Sequence, residues 1–214
     1  MRLVLVGPPG SGKGTQAAKL CERLGLMTIG TGELLREAIK LGTPAGHAYE
    51  TQYTRGSLAP DALVNELVAE LFRTRRPEKF LMDGYPRTYA QAIAFDALLH
   101  QEYLKLDAVL NFTIPDAEVV RRIGGRRVCG NTACAATFNI VFVPPKCAGV
   151  CDKCGSDLIH REDDQEASVV QRLKEFHKNN DALIDHYRRA GIVKDIPAMD
   201  GIEAIHEAIM SRLP

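Results

Sequence analysis

Leu3-Val-Leu-Val-Gly-Pro-Pro-Gly-Ser-Gly-Lys-Gly-Thr15 decides the fold: an apolar run, a glycine-rich loop and the start of a helix. Leu3 to Val6 has no polar residue, as a strand buried on both faces requires. The glycines that follow let consecutive backbone N–H groups turn inward around phosphate oxygens. Lys13 adds a point charge, and the helix behind it presents its positive end. Gly10, Ser11, Gly12, Lys13, Gly14 and Thr15 are therefore the expected phosphate cradle. A glycine-rich turn arising by chance would not be expected between a strand and a helix. One position departs from the Walker pattern: after the lysine, where a Ser or Thr hydroxyl would hold Mg²⁺, stands Gly14.

Beyond the loop, strand and helix patterns alternate. Lys13 to Leu24 carries Ala17, Leu20 and Leu24 at helical spacing, and "TGELLREAIKLG" from Thr31 offers a capping residue, an early Glu and a glycine stop. Asp61 to Phe72 follows Pro60 and sets Leu63, Leu67 and Leu71 on one helical face. Phe80 to Met82 and Ala108 to Ile114 read as strands, each followed by a helix. A long helix from Gln165 to about Arg189, a short strand near Ile192 to Lys194 and a last helix from Gly201 complete the chain. This alternation implies an α/β protein with a parallel sheet covered on both faces. The stretch from Val128 to Ile159 breaks the rhythm: it is rich in Cys, Gly, Pro and Asn and reads as a small inserted β-rich domain.

Composition narrows the classes. The 214 residues are 45% hydrophobic and 25% charged, enough for one sizeable core. With 27 basic and 27 acidic residues there is no global basic field for nucleic acid or an anionic membrane. No apolar stretch approaches a membrane span and no cleavable leader is evident, so the expected compartment is the cytoplasm. In a reducing compartment six cysteines do not read as a disulfide framework.

Cys129 and Cys134 stand four residues apart and Cys151 and Cys154 two apart, with sixteen residues between the pairs. Two such pairs suit tetrahedral zinc with four thiolates and no open position. "CGNTAC" is looser than the usual gap, Cys147 lies near enough to compete, and free thiols or a redox pair remain the alternative. Asp83 ends a strand beside the expected phosphate loop, where a carboxylate can orient Mg²⁺ or its waters. Arg87 in "MDGYPRT" can fork onto a phosphate or lie solvated on a turn. Arg122 and Arg126 share one helical face if the helix persists through two glycines, and Arg161 and Arg172 bracket "EDDQE" beyond the insertion. Arginines flanking both ends of one insertion suggest a clamp over phosphates.

"GPPGSGKGT", "TGELLR", "MDGYPRT" with Gln91, "RRIGGRR", "CDKCG" and "REDDQEASVVQRL" stand in the order and spacing of the adenylate kinases. Over its whole length the chain resembles their bacterial long-lid form, whose lid carries a metal site. The resemblance implies a five-stranded parallel sheet with helices around it and a small β-rich lid. It assigns 1–29, 60–125 and 165–214 to a core, 30–59 to a monophosphate-binding segment and 126–164 to the lid. It implies reversible, Mg²⁺-dependent transfer from ATP to AMP giving two ADP, by a monomer with small-molecule substrates only. Gly14 followed by Thr15 is then a mark of the family. Mg²⁺ surrenders its waters reluctantly and prefers substrate phosphates, so waters ordered by Asp83 and Thr15 can replace a direct hydroxyl ligand.

The resemblance also implies residue roles. Arg36 and Arg87 take the AMP phosphate, Arg122 and Arg126 the ATP side, and Arg161 and Arg172 bridge the transferred group. Thr31, Ser57, Leu58, Ala59, Gly84 and Gln91 line the AMP site, although Thr88-Tyr-Ala-Gln91 also reads as a capping box. Thr137 and Phe138 fall where relatives contact the ATP adenine, with Phe in place of the commoner Tyr. No residue is placed as a general base and none is needed, because the acceptor is a phosphate oxygen already ionised at neutral pH. Structural zinc in the lid would fit its shortage of large apolar residues. A regulatory GTPase lacks its Asn-Lys-x-Asp element here, a zinc-ribbon nucleic-acid module lacks a basic face, and a UMP or CMP kinase is disfavoured by Thr31.

Overall fold

Four buried residues in a row, Leu3 to Val6, put β1 (Arg2–Val6) at the centre of a sheet. The computed structural model describes residues 1–43, 46, 47, 50, 58–134 and 136–214. All pairings of the main sheet are parallel. Its order is β2 (Met27–Gly30), β3 (Phe80–Asp83), β1, β4 (Ala108–Thr113) and β8 (Val193–Pro197). The helices α1 (Lys13–Leu24), α2 (Thr31–Lys40), α3 (Asp61–Arg75), α4 (Tyr89–Gln101), α5 (Asp116–Gly124), α6 (Glu166–Arg189) and α7 (Ile202–Met210) connect or flank it.

Strand side chains alternate between two faces. Leu3, Leu5, Leu81, Leu110 and Phe112 turn toward Ala17 and Leu20 of α1 and Ile205 and Ile209 of α7. Val4, Val6, Phe80, Met82 and Val109 turn toward α3, α4 and α6. Phe72, Phe80, Phe95 and Tyr85 meet edge to face there, with centroids 5.2–6.2 Å apart. A second, antiparallel sheet holds β5 (Arg126–Cys129) between β6 (Thr137–Asn139) and β7 (Leu158–Ile159). Its core is small: Cys129, Ala136, Phe138 and Cys151.

Several expectations need correction. Arg122 and Arg126 do not share a helical face, because α5 ends at Gly124 and Arg126 opens β5. The buried line of α3 runs through Val64, Val68, Leu71 and Phe72, with Leu63 and Leu67 only flanking it. Thr31 does not cap α2; Gly30 takes that place and Thr31 is the first helical residue. The strand β2 was not evident in the periodicity, since only four residues form it and Ile29 alone is fully buried.

Register fixes what meets at the carboxyl ends. Leu5, Asp83 and Gly30 lie side by side across β1, β3 and β2. The residues after them, among them Thr31, Gly84 and the glycine-rich loop, therefore emerge together, where open parallel sheets bind ligands. Phe95 is fully buried against three rings, so Phe95→Ala should cost about 3–5 kcal/mol in urea denaturation. A loss under about 1 kcal/mol would mean that the cluster is not tightly packed.

Candidate active site

Two glycines of the loop, Gly7 and Gly10, are sterically required. A Cβ on Gly10 (φ 73°) would lie 2.7 Å from Ile123 Cγ1, and one on Gly7 would lie 2.8 Å from Phe112 Cβ. The loop is thus wedged between β4 and α5. Gly12 (φ 92°) precedes α1 in the left-handed region, and Ser11 is wholly buried. Lys13 Nζ donates to the carbonyls of Gly7 at 2.7 Å and Pro8 at 2.8 Å. Burial pushes its pKa down to about 7; Asp83 opposes this, while Arg87, Arg172 and Arg126 add to it. Asp83 also faces the loop, its Oδ2 3.7 Å from where a Gly14 Cβ would stand. That is ordinary contact, so Gly14 is not sterically enforced.

Asp164 joins the arginines. Its buried carboxylate takes both Arg126 Nε, at 2.7 Å, and Arg126 Nη2, and lies 3.6 Å from Arg172 Nη1. Arg161 precedes the turn Glu162–Asp164, and its carbonyl accepts the Asp164 N–H. Arg122 pairs with Glu118 at 2.8 Å and lies 5.9 Å from the Phe142 ring.

Beside the loop is a cleft lined by Thr31, Gly32, Leu35, Leu58, Ala59, Val64, Gly84, Arg87 and Gln91. The Gly84 carbonyl orients two of these, accepting Thr31 Oγ1 at 2.8 Å and Arg87 Nε at 2.7 Å. Arg36 lies at the rim, its Nη1 3.3 Å from a Cβ position on Gly32. Gln91 is buried, and its Oε1 accepts the Arg87 backbone N–H at 2.7 Å. Only half of the capping box forms: Thr88 Oγ1 accepts the Gln91 N–H, but the Gln91 side chain passes by Thr88 N.

In the small sheet the sulfurs of Cys129, Cys134, Cys151 and Cys154 all lie within 4.8 Å of one another. Cys129 and Cys154 are 3.4 Å apart and Cys134 and Cys151 3.7 Å. Four thiolates about 2.3 Å from a tetrahedral ion would stand about 3.8 Å apart, so the set fits a metal. Cys147 is exposed and outside the group. Hydrogen bonding with Ser156 draws the Cys154 thiol down to about 6, whereas burial pushes Cys129 up to about 12.

A family model described as adenylate kinase matches residues 5–192. An adenylate kinase of Archaeoglobus fulgidus is 42% identical over 100% of this chain and 99% of its own. Those of Streptomyces avermitilis and Moorella thermoacetica are 43% and 44% identical, covering 100% and 99% of this chain and 97% and 95% of theirs. The chain belongs to the adenylate kinase family. It is a phosphotransferase of the nucleoside monophosphate kinases, converting ATP and AMP into two ADP, and adenylate kinases use Mg²⁺ with the nucleotide. Among the described residues no helix is long and apolar enough to cross a membrane.

Lys13, Asp83, Arg87, Arg126 and Arg172 converge on the adenylate kinase loop, and Thr31, Leu58, Ala59, Gly84, Arg87 and Gln91 share the cleft. Ser57 lies outside the described residues. Thr137 is exposed on the small sheet, while Phe138 is packed inward among Cys129, Ala136 and Cys151. Gly32, Leu35 and Val64 also line the cleft and were not among the expected site residues; Leu35 and Val64 belong at the same time to the buried core.

With its pKa near 7, Lys13 is largely neutral at pH 8, and a polyphosphate beside it favours the charged form. Nucleotide binding at pH 8 should therefore take up protons, approaching about one per site. Calorimetry in buffers of different ionisation enthalpy reads this uptake, and Lys13→Arg, whose guanidinium never deprotonates, should abolish it. Equal uptake by both proteins would place the titrating group elsewhere.

Proposed function

We propose that the loop and the arginine cluster align ATP and AMP phosphates in line and neutralise their charge, and that the cleft beside Arg87 receives AMP. The observation that carries this is the convergence of Lys13, Asp83, Arg87, Arg126 and Arg172 in one electrostatic group at the carboxyl end of the sheet. The donor phosphates rest on Gly10 to Thr15, with Lys13 released from the Gly7 and Pro8 carbonyls to meet them. Arg36 and Arg87 hold the AMP phosphate. Arg122 and Arg126 act on the ATP side, and Arg161 and Arg172 bridge the group in transfer. Asp83 and Thr15 would order the waters of a Mg²⁺ brought in with the nucleotide, and the ion would supply neutralisation of the phosphate charge. No general base is required, since the attacking oxygen is already ionised.

Segment 126–164 acts as a lid that excludes water, 30–59 as the AMP-binding segment, and 1–29, 60–125 and 165–214 as the core. Water exclusion matters because an open site with the same electrostatics would hydrolyse ATP. The four cysteines hold structural zinc, which substitutes for the apolar core that the small sheet lacks. The protein works as a cytoplasmic monomer on small molecules alone. Thr137, not the buried Phe138, is left to meet the ATP base.

Two measurements test this. A coupled assay of ADP formation from ATP with AMP, UMP, CMP or no acceptor should give turnover that requires both AMP and Mg²⁺. Turnover without acceptor would make the protein a hydrolase. Zinc removal by chelation should release about one ion per chain and open 126–164 to proteolysis while a core melting transition survives. A single transition that takes the whole fold with it would contradict a purely local role for the metal.

A further inference from the structure

Asp61 begins α3, and each of its carboxylate oxygens accepts a hydrogen bond. Its Oδ1 accepts Gln91 Nε2–H at 2.8 Å, and its Oδ2 accepts the Thr88 hydroxyl at 2.9 Å. Thr88 Oγ1 in turn accepts the Gln91 backbone N–H at 3.1 Å, closing a ring between the starts of α3 and α4. One turn along α3, Asn65 Oδ1 accepts the Tyr85 hydroxyl at 2.8 Å, which ties α3 to the loop that follows β3.

The polarity of this ring is fixed. An ionised carboxylate only accepts and a backbone N–H only donates. The Gln91 amide therefore turns its nitrogen to Asp61 and its oxygen to the Arg87 N–H. What remains for a ligand is one N–H and one carbonyl lone pair, on a side chain that lines the cleft. Adenine offers an amine donor beside a ring-nitrogen acceptor. An oxopurine such as hypoxanthine offers the reverse, an oxygen acceptor beside a ring N–H.

We propose that Asp61 is a positioning residue which, acting through Gln91, makes the acceptor site prefer adenine over an oxopurine. This rests on the reading of Gln91 as a base-contacting residue. Without the carboxylate the amide nitrogen loses its fixed partner and only the Arg87 N–H opposes a flip. A site whose polar groups are held in place rejects the mispaired base strongly, because a buried donor or acceptor is then left unpaired.

The test is steady-state kinetics with AMP and IMP for the wild type, Asp61→Ala, Asp61→Asn, Gln91→Ala and the Asp61→Ala/Gln91→Ala double variant. Asp61→Ala should raise KM for AMP about tenfold and cut the AMP over IMP preference about tenfold, leaving KM for ATP and kcat within about threefold. Asp61→Asn, which can still accept from Gln91 Nε2, should restore KM for AMP to within about threefold of wild type. The double variant should be no worse than Gln91→Ala alone, because both remove one interaction. Should Asp61→Ala fail to fold, Asp61→Ser, which keeps a helix-starting residue but cannot span both partners, takes its place. Additive effects, or an unchanged AMP over IMP ratio in Asp61→Ala while Gln91→Ala raises KM for AMP, would overturn the proposal. An unchanged KM for AMP in Gln91→Ala would instead remove the base-contacting role of Gln91, and the role of Asp61 with it.

Discussion

The phosphate loop sits where it does because two β-carbons are missing. At Gly7 a Cβ would strike Phe112 on β4, and at Gly10 it would strike Ile123 on α5. The loop is therefore pressed into the angle between the sheet and α5, which no other residue could allow without moving one of them. The contact works in both directions. Ile123 lies one residue before Gly124, where α5 ends, and β5 begins two residues later at Arg126. The packing that seats the loop thus also sets the start of the small sheet and of the arginine that opens it. Asn139 braces this junction: its amide donates to the Arg122 carbonyl at 2.8 Å, and its Oδ1 would lie 2.8 Å from a Cβ on Gly125.

The electrostatics follow from the same geometry. Burial does most to lower the Lys13 pKa; Asp83 opposes it, while the Arg87, Arg172 and Arg126 guanidiniums add to it. Such a concentration of positive charge suits polyanionic ligands and opposes the ligand-free state. Asp164 relieves part of the opposition by taking Arg126 and Arg172 on one buried carboxylate. A buried ion pair contributes little net stability, but removing one partner leaves the other charge uncompensated. Asp164 therefore matters more for where the two arginines point than for how firmly the chain folds.

How much was legible in the sequence varied with the physics behind each element. The unit from β1 through the loop to α1 was readable because its apolar run, glycines and helical spacing are all local signals. The cysteine centre was readable from spacing, but choosing four sulfurs from five needed the fold, which leaves Cys147 outside the group. Three features were hidden. The strand β2 has one fully buried side chain, so it exists through its pairing with β3 and not through its own pattern. The break between Arg122 and Arg126 depends on Gly125 meeting Asn139, a contact across the small sheet. The competing roles of Gln91 were both visible, yet only the fold shows its amide held by Asp61, thirty positions away, while still lining the cleft.

The small sheet imposes a choice on Phe138. Its buried group contains two cysteines, one alanine and this single aromatic ring, with Leu158 and Cys134 packed alongside. An apolar group of this size contributes too little to order a domain unaided, and a metal held by the four cysteines, as proposed, would add to what the ring supplies. A ring committed to that interior cannot also lie against a nucleotide base. On the proposed reading exposed Thr137 is then what is left to meet the ATP base, and a hydroxyl side chain discriminates less than a stacked ring. The acceptor side is arranged differently, since Gln91 and Thr31 are both held by hydrogen bonds to the core. Under the proposed roles, selection by base would therefore fall mainly on the acceptor, with the donor held chiefly through its phosphates.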